Sequence, residues 1–115
     1  MRKCITNSLP IEISFEKFKE VSDDNSLLID CRHLVDYETL HLDSSISLPL
    51  QQLSIRVPEL DEYLHTSIFV YCRTGNRSGT FVRYLRSVGF TKCQAISGGI
   101  ETWGREINQC YDIDS

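Results

Sequence analysis

Several features of common protein classes are missing from this sequence of 115 residues. No apolar run is long enough to cross a bilayer, and residues 1–14 contain no stretch typical of a signal peptide. Internal repeats, low-complexity tracts and linkers rich in proline, glycine and serine are also missing. We therefore expect one soluble domain over 1–115, in the cytoplasm and not at a membrane, with a length that supports its own core.

The cysteines form neither a disulfide framework nor a zinc motif. They are Cys4, Cys31, Cys72, Cys93 and Cys110. Their number is odd, no CxxC pair occurs, and the spacing fits no zinc module. Free thiols in a reducing compartment are the expectation. A metal site could be imagined from Cys31, His33 and His41, but that spacing has no support, so we expect no metal ion and no cofactor.

Charge is distributed unevenly along the chain. The formal net charge is -4, which gives no reason to expect nucleic acid or an acidic membrane as a partner. Residues 73–92 nevertheless contain basic side chains and no acidic one: Arg73, Arg77, Arg83, Arg86 and Lys92. A positive region in an acidic protein suits a small anion. For Arg83 and Arg86 a solvated helix face is the preferred interpretation.

Short apolar runs with strand character alternate with helical patterns. The strand candidates are 9–13, 26–30, 45–49, 67–71 and 92–96. Alternation of this kind requires crossover connections, which predicts an α/β fold with a central, mainly parallel five-stranded sheet and helices on both faces. Ligands bind at the carboxyl ends of strands in such folds, which directs attention to the residues just after Tyr71.

The helical candidates lie between these runs. Ser14 can cap a helix carrying Phe15, Phe18 and Val21. Further helices are predicted over 33–41, from Pro58 with Leu60, Tyr63 and Leu64 on one face, over 77–88, and from Gly98-Gly99 with Trp103 in the core. The helix over 77–88 is expected to have an apolar side formed by Phe81, Tyr84, Leu85 and Val88.

The segment Cys72-Arg-Thr-Gly-Asn-Arg-Ser78 joins the strongest strand to the strongest helix. A cysteine there lies beside unpaired backbone N–H groups at the positive end of the helix dipole, and Arg73 and Arg77 add full charges. These features favour a thiolate and can hold an anion. A buried cysteine at a strand end is the structural alternative. Gly75, the two arginines and the helix start favour function over it.

Four segments in order are similar to the rhodanese-like family. CRTGNRS resembles its active-site loop, LLIDCRHLVDYETLHL resembles its Asp-x-Arg segment, ISLP its Ile-Asn-Ile-Pro, and SGGIETW its near-C-terminal Gly-Gly-Ile-x-x-Trp. Leu40 stands where the family usually has glycine, and Ser44-Ser45 replace Gly-Ala. These departures affect the turn before the third strand candidate and leave the loop unchanged.

The resemblance implies a thiosulfate sulfurtransferase of the single-domain type. Cys72 would attack the outer sulfur of a small anionic donor, sulfite would leave, and a thiol or cyanide would remove sulfur from the Cys72 persulfide. Substrate binding is assigned to the rest of the loop: Arg73, Thr74, Gly75, Asn76, Arg77 and Ser78. Supporting roles are assigned to Asp30, Arg32 and Glu38, and His41 is expected to be structural. Cys31 is assigned to core packing.

Two other functions remain open. Some cysteine phosphatases share this fold, but their loop places one more residue between cysteine and arginine than the four found here. Phosphomonoester hydrolysis also needs a general acid, for which the sequence offers no evident candidate. The second alternative is a non-catalytic or redox-sensing binding module. Such modules often lack the cysteine that this sequence retains.

Overall fold

Five short strands pair in parallel to form the central sheet of the computed structural model, which describes residues 9–103 and 113–114. The strands are β1 (Glu12–Ile13), β2 (Leu27–Asp30), β4 (Ile46–Ser47), β5 (Ile68–Tyr71) and β6 (Cys93–Ile96), in the order β1-β6-β5-β2-β4. Every neighbouring pair is parallel. The predicted α/β sheet is therefore confirmed, and it is parallel throughout. A separate antiparallel pair joins β3 (His41–Leu42) to β7 (Ile113–Asp114).

Helices follow most of the strands. They are α1 (Phe15–Val21), α2 (Leu34–Thr39), α3 (Leu53–Arg56) and α4 (Asn76–Ser87), with 3₁₀ turns at Leu50–Gln52 and Val57–Tyr63 and a helical turn at residues 99–103. Ser14 caps α1 as predicted, because its hydroxyl accepts the Lys17 backbone N–H at 3.0 Å. None of the described helices is long and apolar enough to cross a membrane.

The sheet buries apolar side chains on both faces, because successive residues of a strand point to opposite sides. Ile29 and Val70 pack with the apolar side of α4 in one cluster. Leu28 and Phe69 pack with Phe15 and Phe18 of α1 in the other. Helices on both faces are thus confirmed, and Trp103 is buried in the second cluster as predicted.

The apolar side of α4 differs from the prediction at three positions. Phe81 and Leu85 are buried, but Tyr84 and Val88 are 36% and 46% exposed. Val82 is buried in their place. Residues 78, 81, 82 and 85 follow the i, i+3, i+4, i+7 spacing of one helix face, and this stripe, not one centred on Tyr84, packs against the sheet.

Several predicted boundaries also shift. The helix over 33–41 stops at Thr39 because Leu40 is extended (φ -165°), and Val21 at the end of α1 is 44% exposed. The strand over 45–49 is reduced to Ile46–Ser47. The helix expected from Pro58 is the last part of a helical stretch over 50–63, and its residues adopt 3₁₀ geometry. Proline lacks an N–H, so an α-helix cannot continue unbroken through it.

Arg86 is a structural residue and not part of a solvated face. Its Nε donates to the Cys93 carbonyl at 3.0 Å, and its two terminal nitrogens donate to the carbonyls of Leu9 (2.6 Å) and Pro10 (2.8 Å). Arg86 therefore ties α4 to β6 and to the segment that precedes β1. Arg83 is exposed, as expected.

Ser44 occupies the turn between β3 and β4 in a left-handed conformation, with φ of 71°. This is the turn at which the sequence departs from the glycine of the family pattern. Left-handed geometry costs a residue with a Cβ about 1–2 kcal/mol. We expect Ser44→Gly to raise the free energy of unfolding by up to about 1 kcal/mol, measured by denaturant titration. If the denaturant midpoint of Ser44→Gly is equal to or lower than that of the parent protein, the turn carries no strain.

Candidate active site

Cys72 lies at the carboxyl edge of the sheet, directly after β5 and before α4. The loop turns into the helix at Gly75, which has φ of 99°. A residue with a Cβ rarely adopts that conformation, so glycine is required to bring the chain round the cysteine. The predicted location of Cys72 between strand and helix is confirmed.

Backbone and hydroxyl groups of the loop surround the Cys72 sulfur. The Gly75 N–H donates to Sγ at 2.9 Å and the Ser78 N–H donates at 3.4 Å. The Ser78 hydroxyl oxygen lies 3.5 Å from the same sulfur. Gly75 and Ser78 therefore hold the sulfur atom itself, whereas the prediction from the sequence was that they bind substrate.

Cys31 is the neighbour of Cys72 on the adjacent strand. Asp30 and Tyr71 are paired in register, and the Cys31 N–H continues the ladder by donating to the Tyr71 carbonyl at 3.0 Å. The Cys31 and Cys72 thiols interact closely enough that each shifts the pKa of the other, in opposite directions. Cys31 is fully buried, as its assignment to packing requires, but it is also part of the site.

Hydrogen bonds from these groups lower the pKa of Cys72 to about 4. The Cys31 thiol contributes most, followed by the Ser78 hydroxyl and the N–H groups of Ser78 and Gly75, while burial acts in the opposite direction. The same contact raises the pKa of Cys31, because its proton is shared with the anionic sulfur. Burial raises the pKa of Cys93 to about 12. Cys72 is thus the thiolate among the described cysteines at neutral pH.

This difference predicts selective alkylation. Limited iodoacetamide at about pH 6 should label Cys72 before the other four cysteines, because only a thiolate reacts at a useful rate. The rate at Cys72 should be nearly constant from about pH 6 to 8, since its pKa lies below that range. Peptide mapping measures both results. Even labelling, or a rate that climbs tenfold per pH unit, would contradict the lowered pKa.

An open pocket of about 320 Å³ lies above the sulfur. It is lined by Arg32, His33, Asp36, Cys72, Arg73, Thr74, Asn76 and Arg77. Five residues of the predicted loop are therefore on its wall. His33 and Asp36, from the start of α2, were not predicted. Since the charge of Arg32 is balanced by Asp30, it is Arg73 and Arg77, against the one carboxylate of Asp36, that make the pocket attractive to an anion.

The two loop arginines differ in their surroundings. Arg73 is exposed, and its Nε lies 3.8 Å from the Glu101 carboxylate, an exposed pair of the kind that contributes little stability. Arg77 has a terminal nitrogen 3.4 Å from the His33 ring. The positive charge of residues 73–92 is therefore partly balanced by Glu101, which lies outside this segment of the sequence.

Asp30 and Arg32 form a buried ion pair beside the loop. Two guanidinium nitrogens of Arg32 donate to the Asp30 carboxylate at 2.8–3.2 Å, and the Arg32 N–H donates to it at 2.9 Å. Arg32 also donates to the Leu40 carbonyl, which fixes the end of α2. This arrangement fits the supporting role expected for the pair. Glu38 is exposed on α2 and does not line the pocket.

The remaining assignments concern residues around the site. The His41 ring stacks on Tyr37 and its Nδ1 lies 2.7 Å from the Tyr37 carbonyl, in keeping with a structural role. In the part of the chain that the structure describes, no cluster of His, Cys, Asp or Glu could hold a metal ion. Cys4 and Cys110 lie outside the described residues.

Comparisons with known proteins agree with this geometry. The model of the rhodanese-like domain family matches residues 14–106. The adenylyltransferase and sulfurtransferase MOCS3 of Arabidopsis thaliana is 35% identical over 89% of this chain and 26% of its own length. The adenylyltransferase and sulfurtransferase uba4 of Ogataea parapolymorpha is 37% identical over 75% of this chain and 22% of its own. The chain thus spans about a quarter of the length of these curated relatives.

A solved structure shows the same fold. The crystal structure of a rhodanese-related protein from Thermoplasma volcanium superposes with a TM-score of 0.74, covering 89% of this chain and 95% of that one at 24% identity. The match of the family model extends from the start of α1 past the helical turn at residues 99–103 and includes every residue of the pocket. This chain belongs to the rhodanese-like domain family.

Proposed function

We propose that this domain is a sulfurtransferase that carries sulfur as a persulfide on Cys72. The proposal rests on one observation above all: the Cys72 thiolate lies at the base of a cationic pocket, where N–H groups hold its charge. The sulfurtransferase names of the relatives support the same reaction class.

The loading step follows from these positions. The Cys72 thiolate attacks the outer sulfur of thiosulfate, a new sulfur–sulfur bond forms, and the bond to the sulfite group breaks with its electron pair leaving on sulfite. A preformed thiolate requires no general base. The N–H groups of Gly75 and Ser78 stabilise the negative charge on sulfur, and Arg77 stabilises the departing dianion.

The unloading step needs an acceptor that reaches the pocket. A thiol or cyanide attacks the outer sulfur of the persulfide, and Cys72 leaves as the thiolate that the loop already stabilises. We propose small partners for both steps: a thiosulfate-like anion as donor and a thiol or cyanide as acceptor. A reducing compartment such as the cytoplasm suits the free thiols of Cys31, Cys72 and Cys93.

Turnover of thiosulfate and cyanide tests the proposal. Purified protein should produce thiocyanate and sulfite in equal amounts, and it should leave p-nitrophenyl phosphate unhydrolysed. Other sulfane donors, including inorganic polysulfide, should be tried in parallel, because the pocket recognises charge more than a particular donor. Phosphatase activity would favour the first alternative function. Inactivity with every donor would favour the binding module.

Arg77 should act through its planar donor groups as well as its charge. Arg77→Lys keeps the charge but loses the paired N–H donors, so turnover with thiosulfate should fall by about tenfold or more. The matched control is Arg83→Lys, because Arg83 is exposed on the same helix and does not line the pocket. Equal turnover in both variants would show that Arg77 contributes only a positive field.

A further inference from the structure

Cys31 and Cys72 lie side by side just beyond the ends of two neighbouring parallel strands. Each lies one residue beyond the paired residues Asp30 and Tyr71, and the ladder bond from Cys31 N–H to the Tyr71 carbonyl keeps the two chains in register there. Neighbouring strands lie about 4.7–4.9 Å apart, within the range of Cα separations that a disulfide spans. Both side chains belong to the same buried cluster and so point to the same face of the sheet.

The two sulfurs differ in their access to the pocket. Cys72 lines it, whereas Cys31 is fully buried and does not. A persulfide on Cys72 extends its outer sulfur into the pocket, where there is space for it. Cys31, buried beside Cys72 in the same core cluster, reaches the inner sulfur from the core side. Attack at the inner sulfur expels the outer one, whereas attack at the outer sulfur expels Cys72, so the sulfur that is attacked decides the product.

We propose that Cys31 is the resolving thiol of this domain, which attacks the inner sulfur of the Cys72 persulfide and forms a Cys31–Cys72 disulfide when no acceptor is present. The inference rests on the proposed function. A bond forms between the two cysteine sulfurs, and the bond to the outer sulfur breaks. The outer sulfur of the persulfide anion takes that electron pair and the Cys31 proton and leaves as hydrosulfide (HS⁻). The cysteine pair is oxidised by two electrons and the sulfane sulfur is reduced by two.

Two routes therefore compete for the loaded domain. An acceptor attacks the outer sulfur from the pocket, and Cys31 attacks the inner sulfur from the core. The raised pKa of Cys31 keeps its thiol protonated, so attack by Cys31 is slow. An acceptor in the pocket therefore reacts with the persulfide before Cys31 does. A dithiol reductant restores the disulfide form to two thiols. The internal route limits how long the reactive sulfur stays on the domain.

Cys93 provides a matched control. It is as fully buried as Cys31 and belongs to the same cluster. It lies on β6 in register with Ile68, the first residue of β5, and so at the opposite end of the strand from Cys72. Cys93→Ala should therefore disturb packing about as much as Cys31→Ala without removing the resolving thiol.

The test follows the fate of the sulfur after loading. Reduced protein is incubated with thiosulfate, or with inorganic polysulfide, and desalted, and intact mass, released sulfide and a non-reducing peptide map are followed with time. The parent and Cys93→Ala should first gain one sulfur atom. They should then fall to two hydrogens below the reduced mass, with one sulfide released and Cys31 linked to Cys72. Cys31→Ala loses the contact that does most to lower the pKa of Cys72, so it is loaded for longer; once loaded, it should keep the adduct at least about tenfold longer and release no matching sulfide.

Each outcome decides the question. An adduct that lasts equally long in the parent and in Cys31→Ala, with no cross-linked peptide from the parent, overturns the resolving role and leaves the proposed function standing. If Cys31→Ala does not fold, the cross-linked peptide of the parent gives the answer alone. If no donor adds sulfur to any of the three proteins, the proposed function fails and takes the inference with it.

Discussion

Cys72→Ser is expected to abolish sulfur transfer, lowering turnover of thiosulfate and cyanide by at least about a thousandfold. The parent sulfur is ionised at neutral pH because the Cys31 thiol, the Ser78 hydroxyl and two N–H groups bond to it. A serine hydroxyl in the same place stays protonated, offers no anion and cannot form a persulfide. The measurement is thiocyanate production under saturating thiosulfate.

Cys93→Ser is the control for this substitution. Cys93 is buried like Cys72 but lies at the other end of the sheet, so its loss affects stability and not the chemistry. Thermal unfolding of both variants shows whether each is folded under assay conditions. Residual activity of Cys72→Ser above about one percent of the parent would mean that another group carries the sulfur.

Gly99→Ala is expected to lower turnover by about a hundredfold, because a shift of the reactive loop by about 1 Å is enough for such a loss. A Cβ at Gly99 would lie 2.2 Å from the Arg73 carbonyl oxygen and 2.5 Å from the Thr74 nitrogen. Both are backbone atoms of the loop that follows Cys72. The following residues hold that loop, since the Ile100 N–H donates to the Cys72 carbonyl at 2.9 Å. The loop must therefore move to admit a methyl group.

Gly89→Ala separates the clash from backbone strain. Gly89 also has positive φ (109°, against 76° at Gly99), but its added Cβ would meet only the flexible Leu64 side chain, at 3.6 Å. Both variants should lose about 1–2 kcal/mol of stability from the left-handed conformation. Only Gly99→Ala should also lose turnover, measured at a temperature where both are folded. Parallel losses in the two variants would contradict the role of Gly99 in placing the loop.

The fold and the centre of the site follow from local patterns in the sequence. Ile68–Tyr71 is an apolar run, residues 76–87 have helical spacing, and the glycine between them permits the sharp turn that brings the chain round Cys72. Parallel strands place such turns at one edge of a sheet, so position and chemistry could be predicted together. The four family-like segments gave the same result independently.

The contacts across the sheet could not be predicted in this way. The pairing of Cys31 with Cys72 depends on which strands are neighbours and on their register, and neither is encoded by spacing along the chain. The same reason applies to His33 and Asp36 in the pocket and to the carbonyls that bind Arg86. Cys31 did carry a signal, since it follows a buried apolar strand just as Cys72 does.

The lowered pKa of Cys72 shows the difference between what the loop sequence predicts and what contacts across the sheet add. The sequence predicts an acidic Cys72 from the helix dipole, the loop N–H groups and the two arginines. In the structure the largest contribution is the Cys31 thiol, and Arg73 is turned toward Glu101. The direction of the pKa shift was therefore predicted from the loop alone, but its main cause lies on another strand.

Intact-protein mass after brief exposure to thiosulfate tests the central claim most directly. Without an acceptor the mass should rise by one sulfur atom at early times, on the peptide that contains Cys72, and the Cys72→Ser protein should show no change. Cyanide should then remove the added mass and release thiocyanate in equal amount. A mass that stays unchanged with thiosulfate and with other sulfane donors, in protein whose Cys72 is shown to be reduced, would contradict sulfur transfer through this residue.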